Sequence, residues 1–140
     1  MSVRLEHAKG LYLEGIRDGH VREAIGAHTG ARYTQHSTGV ADGPEGFIAF
    51  FEPFIERNPK RDIEVIRAFE DGRYVFVHVH QSLNDGEAQW VTTDLFDTDA
   101  EGKIVEHWDV ISEFVGPGPS ENTQVDGTTE ISDLEFTEFN

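Results

Sequence analysis

The chain has 140 residues and no cysteine, which suits a single domain and excludes disulfides, thiolate metal sites and a cysteine nucleophile. It carries 27 acidic residues against 11 basic ones, and the net charge of −16 argues against nucleic acid as a partner because its phosphates would be repelled. The excess acid indicates a solvated surface, as in a salt-loving organism, or a cationic partner. No apolar run approaches the roughly 20 residues that span a bilayer, and residues 1–10 lack the apolar core of a signal peptide. We therefore expect a cytoplasmic protein with no membrane contact.

Three helices are predicted in the first part of the chain. Apolar side chains at helical spacing indicate a first helix over residues 3–17 and a second over residues 20–28. A third is predicted over residues 42–57, with Asp42 as its N-cap and a proline and a glutamate in its first turn. Its phenylalanine stripe is typical of a core-facing side, and one or two of the rings, Phe51 among them, are candidates for a pocket wall.

The rest of the domain is predicted to be strands, because the apolar period changes from helical spacing to two after Asp62. Four strands are predicted, over residues 62–70, 73–83, 88–97 and 103–113. Asp71-Gly72 indicates a tight hairpin, and Asp- and Gly-containing turns separate the later strands. The polar segment YTQHSTGVADG before the third helix is expected to be a loop. Helices followed by an antiparallel meander indicate an α+β fold whose sheet curls around the helices.

The chain divides by composition into a domain, residues 1–115, and an acidic C-terminal tail, residues 116–140. The tail has six acidic and no basic residues, which is typical of solvated chain. Its last part carries four apolar side chains that are candidates for docking on the domain or on a second subunit. They are Ile131, Leu134, Phe136 and Phe139. Both possibilities stay open from the sequence.

Alternation along the predicted strands groups the residues that could carry chemistry. One set comprises Tyr74, Phe76, His78 and His80; a second comprises Trp90, Thr92, Asp94 and Phe96; a third comprises Val105, His107, Asp109 and Ile111. Together with His36 in the loop, these give four histidines and two aspartates. Histidine exchanges protons near neutral pH, and burial raises the pKa of a carboxyl group, so the set indicates an acid–base site. The alternative is that these groups are hydrogen-bonded structural residues.

Three segments of the chain resemble the SnoaL-like family, in particular its branch of predicted aldol-condensation enzymes. They are YTQHSTGVADGPEGFIAFF, VFVHVHQSL and WVTTDLFDTDAEGKIVEHWDVIS, and the likeness extends over about residues 5–114. The resemblance implies a cone-shaped, nuclear-transport-factor-2-like fold of three helices on a strongly curved antiparallel sheet, dimeric through the outer face of the sheet. Such families contain cyclases, isomerases, dehydratases, epoxide hydrolases and proteins that only bind, so the fold does not settle the function.

The resemblance also implies roles for four residues. Asp109 falls where relatives place an acid or base, His107 lies beside it, Asp94 matches a pocket aspartate, and His36 takes the place of a polar residue that holds substrate or water. The loop reads Gln-His-Ser-Thr where the family has Gln-His-Asn-Pro. Thr92 replaces the arginine of the epoxide hydrolases, which argues against epoxide opening.

The sequence therefore indicates three candidate functions. The first is an enzyme without cofactor that uses acid–base chemistry on a small carbonyl compound, in an aldol-type cyclisation, isomerisation or dehydration. Asp109 is its expected base, His107 its relay, Asp94 the residue that orients a histidine, and His36 the donor to the enolate oxygen. The residues expected to bind substrate are His78, His80, Tyr74, Phe76, Trp90, Thr92, Phe96, Ile111 and Phe51. The second function is a pocket that binds an apolar ligand without catalysis, and the third is a metal site of histidines with Asp94 or Asp109, although no known ligand spacing is present.

Overall fold

The computed structural model describes residues 2–127, and its first half is mainly helical. Helix α1, Val3–Gly10, continues directly into a π-helical segment, Leu11–Arg17. Helix α2 is Val21–His28 and helix α3 is Gly43–Arg57. The three predicted helices are confirmed, but the π geometry of Leu11–Arg17 has no signal in the apolar spacing.

In the described part of the chain, five strands form one open sheet. They are β1, Thr29–Gln35; β2, Arg61–Asp71; β3, Tyr74–Leu83; β4, Ala88–Thr98; and β5, Ile104–Glu113. Their order is β1-β5-β4-β3-β2, with β1 parallel to β5 and every other pair antiparallel. The four predicted strands are confirmed within one residue at each end. The expected loop is corrected, because its first residues complete β1, and the sheet is therefore mixed.

The helices cover one face of the sheet, which we call the inner face. Val75, Val77 and Val79 of β3 are 0% exposed and belong to the apolar core with residues of all three helices. Burying these β-branched side chains stabilises the domain by roughly 2 kcal/mol each. The α+β fold expected from the sequence is confirmed.

The connection between β1 and α3 is held close to the helix. Asp42 is the N-cap residue of α3, but its side chain does not cap the helix. Its Oδ1 accepts from the backbone N–H of Gln35 at 2.8 Å and so fixes the end of β1. Gly46 permits the close approach, because a Cβ there would lie 1.9 Å from the carbonyl oxygen of Ala41.

The chain after β5 crosses the other face of the sheet, the outer face. The ring of Phe114 stacks on His80 of β3 with centroids 4.6 Å apart. Arg67 of β2 donates to the carbonyl oxygens of Val125 and Asp126, each at 3.3 Å. Val125 and Asp126 thus contact the sheet, although residues 116–127 form no helix or strand. Ile131, Leu134, Phe136 and Phe139 lie outside the described residues, and the division at residue 115 stays a prediction.

Within residues 2–127, every helix is too short or too polar to cross a membrane.

Candidate active site

A cavity of about 310 Å³ lies between the helices and the inner face of the sheet. This size is near the lower end of the range for small-molecule sites and would hold about ten water molecules at liquid density. The wall is mostly apolar. It is formed by Leu11, Tyr12, Ile16, Tyr33, Gln35, Ser37, Gly39, Val40, Phe47, Phe50, Phe51, Phe54, Gln81, Trp90, Thr92, Phe96, His107, Asp109 and Ile111.

Asp94 is the centre of a buried polar network beside the cavity. Its side chain is 0% exposed, although carboxylates are rarely buried without partners. The Tyr12 hydroxyl donates to Oδ1 at 2.6 Å, and the Thr92 hydroxyl donates to Oδ2 at 2.8 Å. His107 Nε2 lies 2.7 Å from Oδ1. Three donors therefore compensate the loss of water around this carboxylate.

Gln35 fixes the protonation of His107 at its other nitrogen. The backbone N–H of Ser37 donates to Gln35 Oε1 at 3.0 Å, which identifies that atom as the carbonyl oxygen. His107 Nδ1 lies 2.7 Å from the same oxygen, so Nδ1 carries a proton and donates. Since Nε2 faces Asp94, an ionised Asp94 pairs with an imidazolium that carries both ring protons. The imidazole ring of His107 lies between two aromatic rings, with its centroid 4.6 Å from that of Phe96 and 6.4 Å from that of Tyr33.

Asp109 faces the cavity next to this pair. Its Oδ2 lies 4.0 Å from His107 Nε2, and its side chain is 10% exposed. Burial raises the pKa of Asp109, and the negative charge of Asp94 raises it further. The positive charge of His107 and a hydrogen bond from Ser37 lower the pKa of Asp109, but burial outweighs them. Asp109 is thus a desolvated carboxyl group on the wall of an apolar cavity.

The Tyr33 hydroxyl is a donor without an acceptor among the described residues. Its oxygen accepts from Gln35 Nε2 at 3.2 Å, which leaves the O–H proton available. Burial raises the pKa of Tyr33, so the hydroxyl keeps this proton at neutral pH. Tyr33 lines the cavity and can therefore donate to a bound molecule.

His36 does not reach the cavity, which corrects the role expected for it. In the parallel pairing of β1 with β5, Gln35 lies opposite His107, so alternation turns Gln35 inward and His36 outward. His36 Nε2 lies 2.7 Å from Glu106 Oε2, and its ring stacks on Trp108 at 5.1 Å. Gln35 and Ser37 supply the polar wall that was expected from His36.

The face predicted for four residues of β3 is also corrected. Tyr74, Phe76, His78 and His80 point to the outer face, because Val77 and Val79 lie opposite Asp94 and Thr92 on the inner face. His78 Nδ1 lies 2.6 Å from an Arg67 nitrogen, His80 Nε2 lies 2.9 Å from Gln89 Oε1, and Phe76 stacks on Phe69 at 5.0 Å. Tyr74 is 39% exposed. None of the four lines the described cavity.

The other expected residues lie at the cavity. Trp90, Thr92, Phe96, Ile111 and Phe51 line it, as do His107 and Asp109, whereas Asp94 lies behind the wall as the partner of His107. Sequence reasoning missed Tyr12, Tyr33, Gln35, Ser37 and Gln81. The only available signal for Gln81 was its place at the end of the valine alternation of β3.

Both the sequence and the fold of this chain are similar to those of known proteins. Residues 12–107 match the family model of the SnoaL-like domain. No curated protein sequence matches the chain.

Several solved structures are similar. A proposed polyketide cyclase from Bacillus cereus ATCC 10987 is 18% identical, with a TM-score of 0.66 over 78% of this chain and 74% of that chain. A proposed SnoaL-like polyketide cyclase from Jannaschia sp. CCS1 is 21% identical, with a TM-score of 0.62 over 78% of this chain and 85% of that chain. TsrD from Streptomyces laurentii is 14% identical, with a TM-score of 0.66 over 80% of this chain and 90% of that chain. At such identities the likeness concerns the fold, whereas the family match extends over more than half of the sequence, so the chain belongs to the SnoaL-like family.

Proposed function

We propose that this protein is an enzyme that moves a proton at the carbon next to a carbonyl group of a small molecule bound in the cavity. The observation that carries the proposal is Asp109, a desolvated carboxylate on an apolar wall, 4.0 Å from a buried histidine–aspartate pair. A raised pKa makes a carboxylate a stronger base, and general bases contribute about 10²- to 10⁴-fold to a rate.

The reaction would begin when Asp109 takes the proton and leaves an enolate. The Tyr33 hydroxyl is available to donate to the enolate oxygen, where negative charge develops. The positive charge of His107, held by Asp94, stabilises the negative charge at this end of the cavity. Return of the proton from Asp109 to another atom would complete an isomerisation. Attack of the enolate carbon on a second carbonyl, with the proton on Asp109 passing to the new alkoxide oxygen, would give an aldol-type cyclisation. Loss of a hydroxyl group from the carbon next to the enolate, with that proton and therefore as water, would give a dehydration.

The family membership supports small-molecule chemistry of this kind. The proteins from Bacillus cereus and Jannaschia are described as proposed polyketide cyclases. A cyclase of the same type would use a base and an oxyanion donor in an apolar cavity, and the positions of Asp109 and Tyr33 on the cavity wall support such an assignment.

Deuterium incorporation tests the proposal. We choose 2-tetralone as the probe, because it is a neutral two-ring ketone with acidic protons beside its carbonyl group. Wild-type protein in D₂O should accelerate exchange at these positions, measured by proton NMR. Asp109→Asn should remove about 10²- to 10⁴-fold of that acceleration, whereas the exposed turn residue Asp85, changed to Asn, serves as the control. Equal exchange rates for wild type and Asp109→Asn would rule out Asp109 as the base.

A binding site without catalysis is the alternative. It would explain the apolar wall but would assign no role to the desolvated Asp109. Saturable binding of 2-tetralone with no exchange above the buffer rate would favour this alternative.

A metal site is the other candidate, and one observation favours it. Ligand atoms of Asp94, His107 and Asp109 lie within 4.8 Å of one another, a set that zinc or iron would accept. Metal analysis of the purified protein distinguishes the two functions. Less than a tenth of an equivalent of any transition metal, in protein that accelerates exchange, would exclude the metal function.

We also propose that the protein forms a homodimer through the outer face of the sheet. Phe69, Tyr74, Leu95 and Val110 expose apolar surface there, and the segment that follows β5 covers only part of the face. Light scattering should give a dimer mass for wild type and for Val3→Glu, a change on α1, and a monomer mass for Leu95→Glu. A monomeric wild type would contradict this proposal.

A further inference from the structure

Gln81 is a polar residue of the cavity wall to which residues 2–127 offer no hydrogen-bond partner. It is 6% exposed and lines the cavity from β3. Within residues 2–127 its side-chain amide makes no hydrogen bond, yet neither of its polar atoms is sealed from solvent-sized space. A buried amide without a partner destabilises a protein, because it loses its bonds to water. An amide that faces a cavity recovers those bonds only from a molecule in that cavity.

The sheet register places Gln81 at the opposite end of the cavity from Asp109. Asp109 of β5 lies opposite Asp94 of β4, and Gln81 of β3 lies opposite Trp90 of β4. Asp94 and Trp90 are four residues apart, or about 13 Å along a strand. A molecule that reaches both ends would therefore contact Asp109 with one part and Gln81 with another.

The charge of the wall restricts what this molecule can be. Among the described residues no lysine or arginine lines the cavity and His107 is already paired with Asp94, so an anionic ligand would find no unpaired cation to replace its water. An amide offers a donor and an acceptor, which suits a hydroxyl or a carbonyl group. Aromatic rings surround the space between the two ends, and these suit a ring system.

We propose that Gln81 determines ligand specificity: its amide hydrogen-bonds a hydroxyl or carbonyl group at the end of a neutral ring compound remote from the carbon that reacts at Asp109. The part that concerns Asp109 rests on the proposed function. The part that concerns Gln81 is a statement about binding and is tested separately.

Equilibrium binding of two ketones tests the inference, because it requires no turnover. The probes are 2-tetralone and 6-hydroxy-2-tetralone, which carries a hydroxyl group at the far end of the rings. Wild type should bind the hydroxylated ketone roughly tenfold more tightly, as expected for one hydrogen bond that satisfies a buried group. Gln81→Leu should remove that preference and bring the ratio of the two dissociation constants to about one.

Gln89→Leu is the matched control. Gln89 is a glutamine on the neighbouring strand, but its amide is bonded to His80. Its replacement should leave the tenfold preference of wild type in place. A preference that survives in Gln81→Leu, or the failure of both ketones to bind wild type at millimolar concentration, would overturn the inference.

Thermal unfolding separates recognition from a structural role. Because residues 2–127 give the Gln81 amide no partner, leucine at this position should leave the melting temperature unchanged or raise it, since no hydrogen bond among these residues is lost. A lower melting temperature would show that the amide stabilises the fold and would contradict the inference. Failure of the proposed function would appear in the deuterium-exchange experiment instead, where wild type and Asp109→Asn would exchange at the same rate.

Discussion

The two faces of the sheet carry similar residues but differ in their pairing. On the inner face His107 lies beside the buried carboxylate of Asp94 and the cavity. On the outer face His78 lies beside the guanidinium of Arg67, under the segment that follows β5. Burial lowers the pKa of His78, and the positive charge of Arg67 lowers it further, so this ring is neutral at pH 7. The partner of a histidine, and not its presence on a strand, therefore separates a candidate site from a structural contact.

The largest effect should follow loss of the inner carboxylate. Asp94→Ala leaves His107, Tyr12 and Thr92 without their acceptor in a buried site, and should lower the free energy of unfolding by about 3–5 kcal/mol. Urea denaturation measures this change. Asp62→Ala, at an exposed position of β2, is the matched control and should stay within about 0.5 kcal/mol. If Asp94→Ala lowers the free energy of unfolding as little as the control does, the inner carboxylate does not stabilise the fold and the two faces do not differ in this respect.

Two tyrosines, one on each face of the sheet, should differ in their effect on catalysis. Tyr33→Phe removes the proposed oxyanion donor and should slow deuterium exchange into 2-tetralone by about 10²- to 10³-fold. Tyr74→Phe removes a hydroxyl group from the outer face and should leave the exchange rate within twofold of wild type, because substitutions at exposed positions away from a site have small effects. If both variants exchange at the wild-type rate, Tyr33 is not the donor.

Asp109→Asn should stabilise the protein at neutral pH. Because the pKa of Asp109 is raised in the folded state, the folded protein disfavours the ionised form. The stability that this group contributes is full below the pKa of an exposed aspartate, about 3.9, and is lost as pH rises through the raised value. The variant should therefore melt at a higher temperature than wild type at pH 7, with a difference that disappears below about pH 4. A lower melting temperature at pH 7 would show that ionised Asp109 is favourably paired.

The smallest effect should come from the outer histidine. His78→Gln keeps a polar group next to Arg67, and we expect a change in unfolding free energy within about 0.5 kcal/mol and no change in the exchange rate. A loss of exchange comparable to that of Tyr33→Phe would show that the outer face contributes to the chemistry.

The fold could be predicted from the sequence because its signals are local. The turn residues and the period of two define β2 to β5, and the apolar spacing defines the helices. Strand β1 was missed because only its pairing with β5, far along the chain, makes Thr29–Gln35 a strand. The inward placement of Gln35 and the outward placement of His36 follow from that pairing.

The face of β3 could have been found from the strand ends. Leu83 and Ala88 close the β3–β4 hairpin, so odd-numbered residues of β3 lie opposite even-numbered residues of β4. The inward position of Asp94 therefore places Val77, not His78, on the same face. The π-helical position of Tyr12 and the free amide of Gln81 had no such signal, because both depend on tertiary packing.

The central claim is that Asp109 is a desolvated base that faces a ligand cavity. Carbon-detected NMR titration of its side-chain carboxyl group, without and with 2-tetralone, tests this claim most directly. The account predicts a midpoint above that of an ordinary aspartate, about 3.9, and a further rise when the ketone displaces water from the cavity. A midpoint at or below the ordinary value that the ketone leaves unchanged would contradict it.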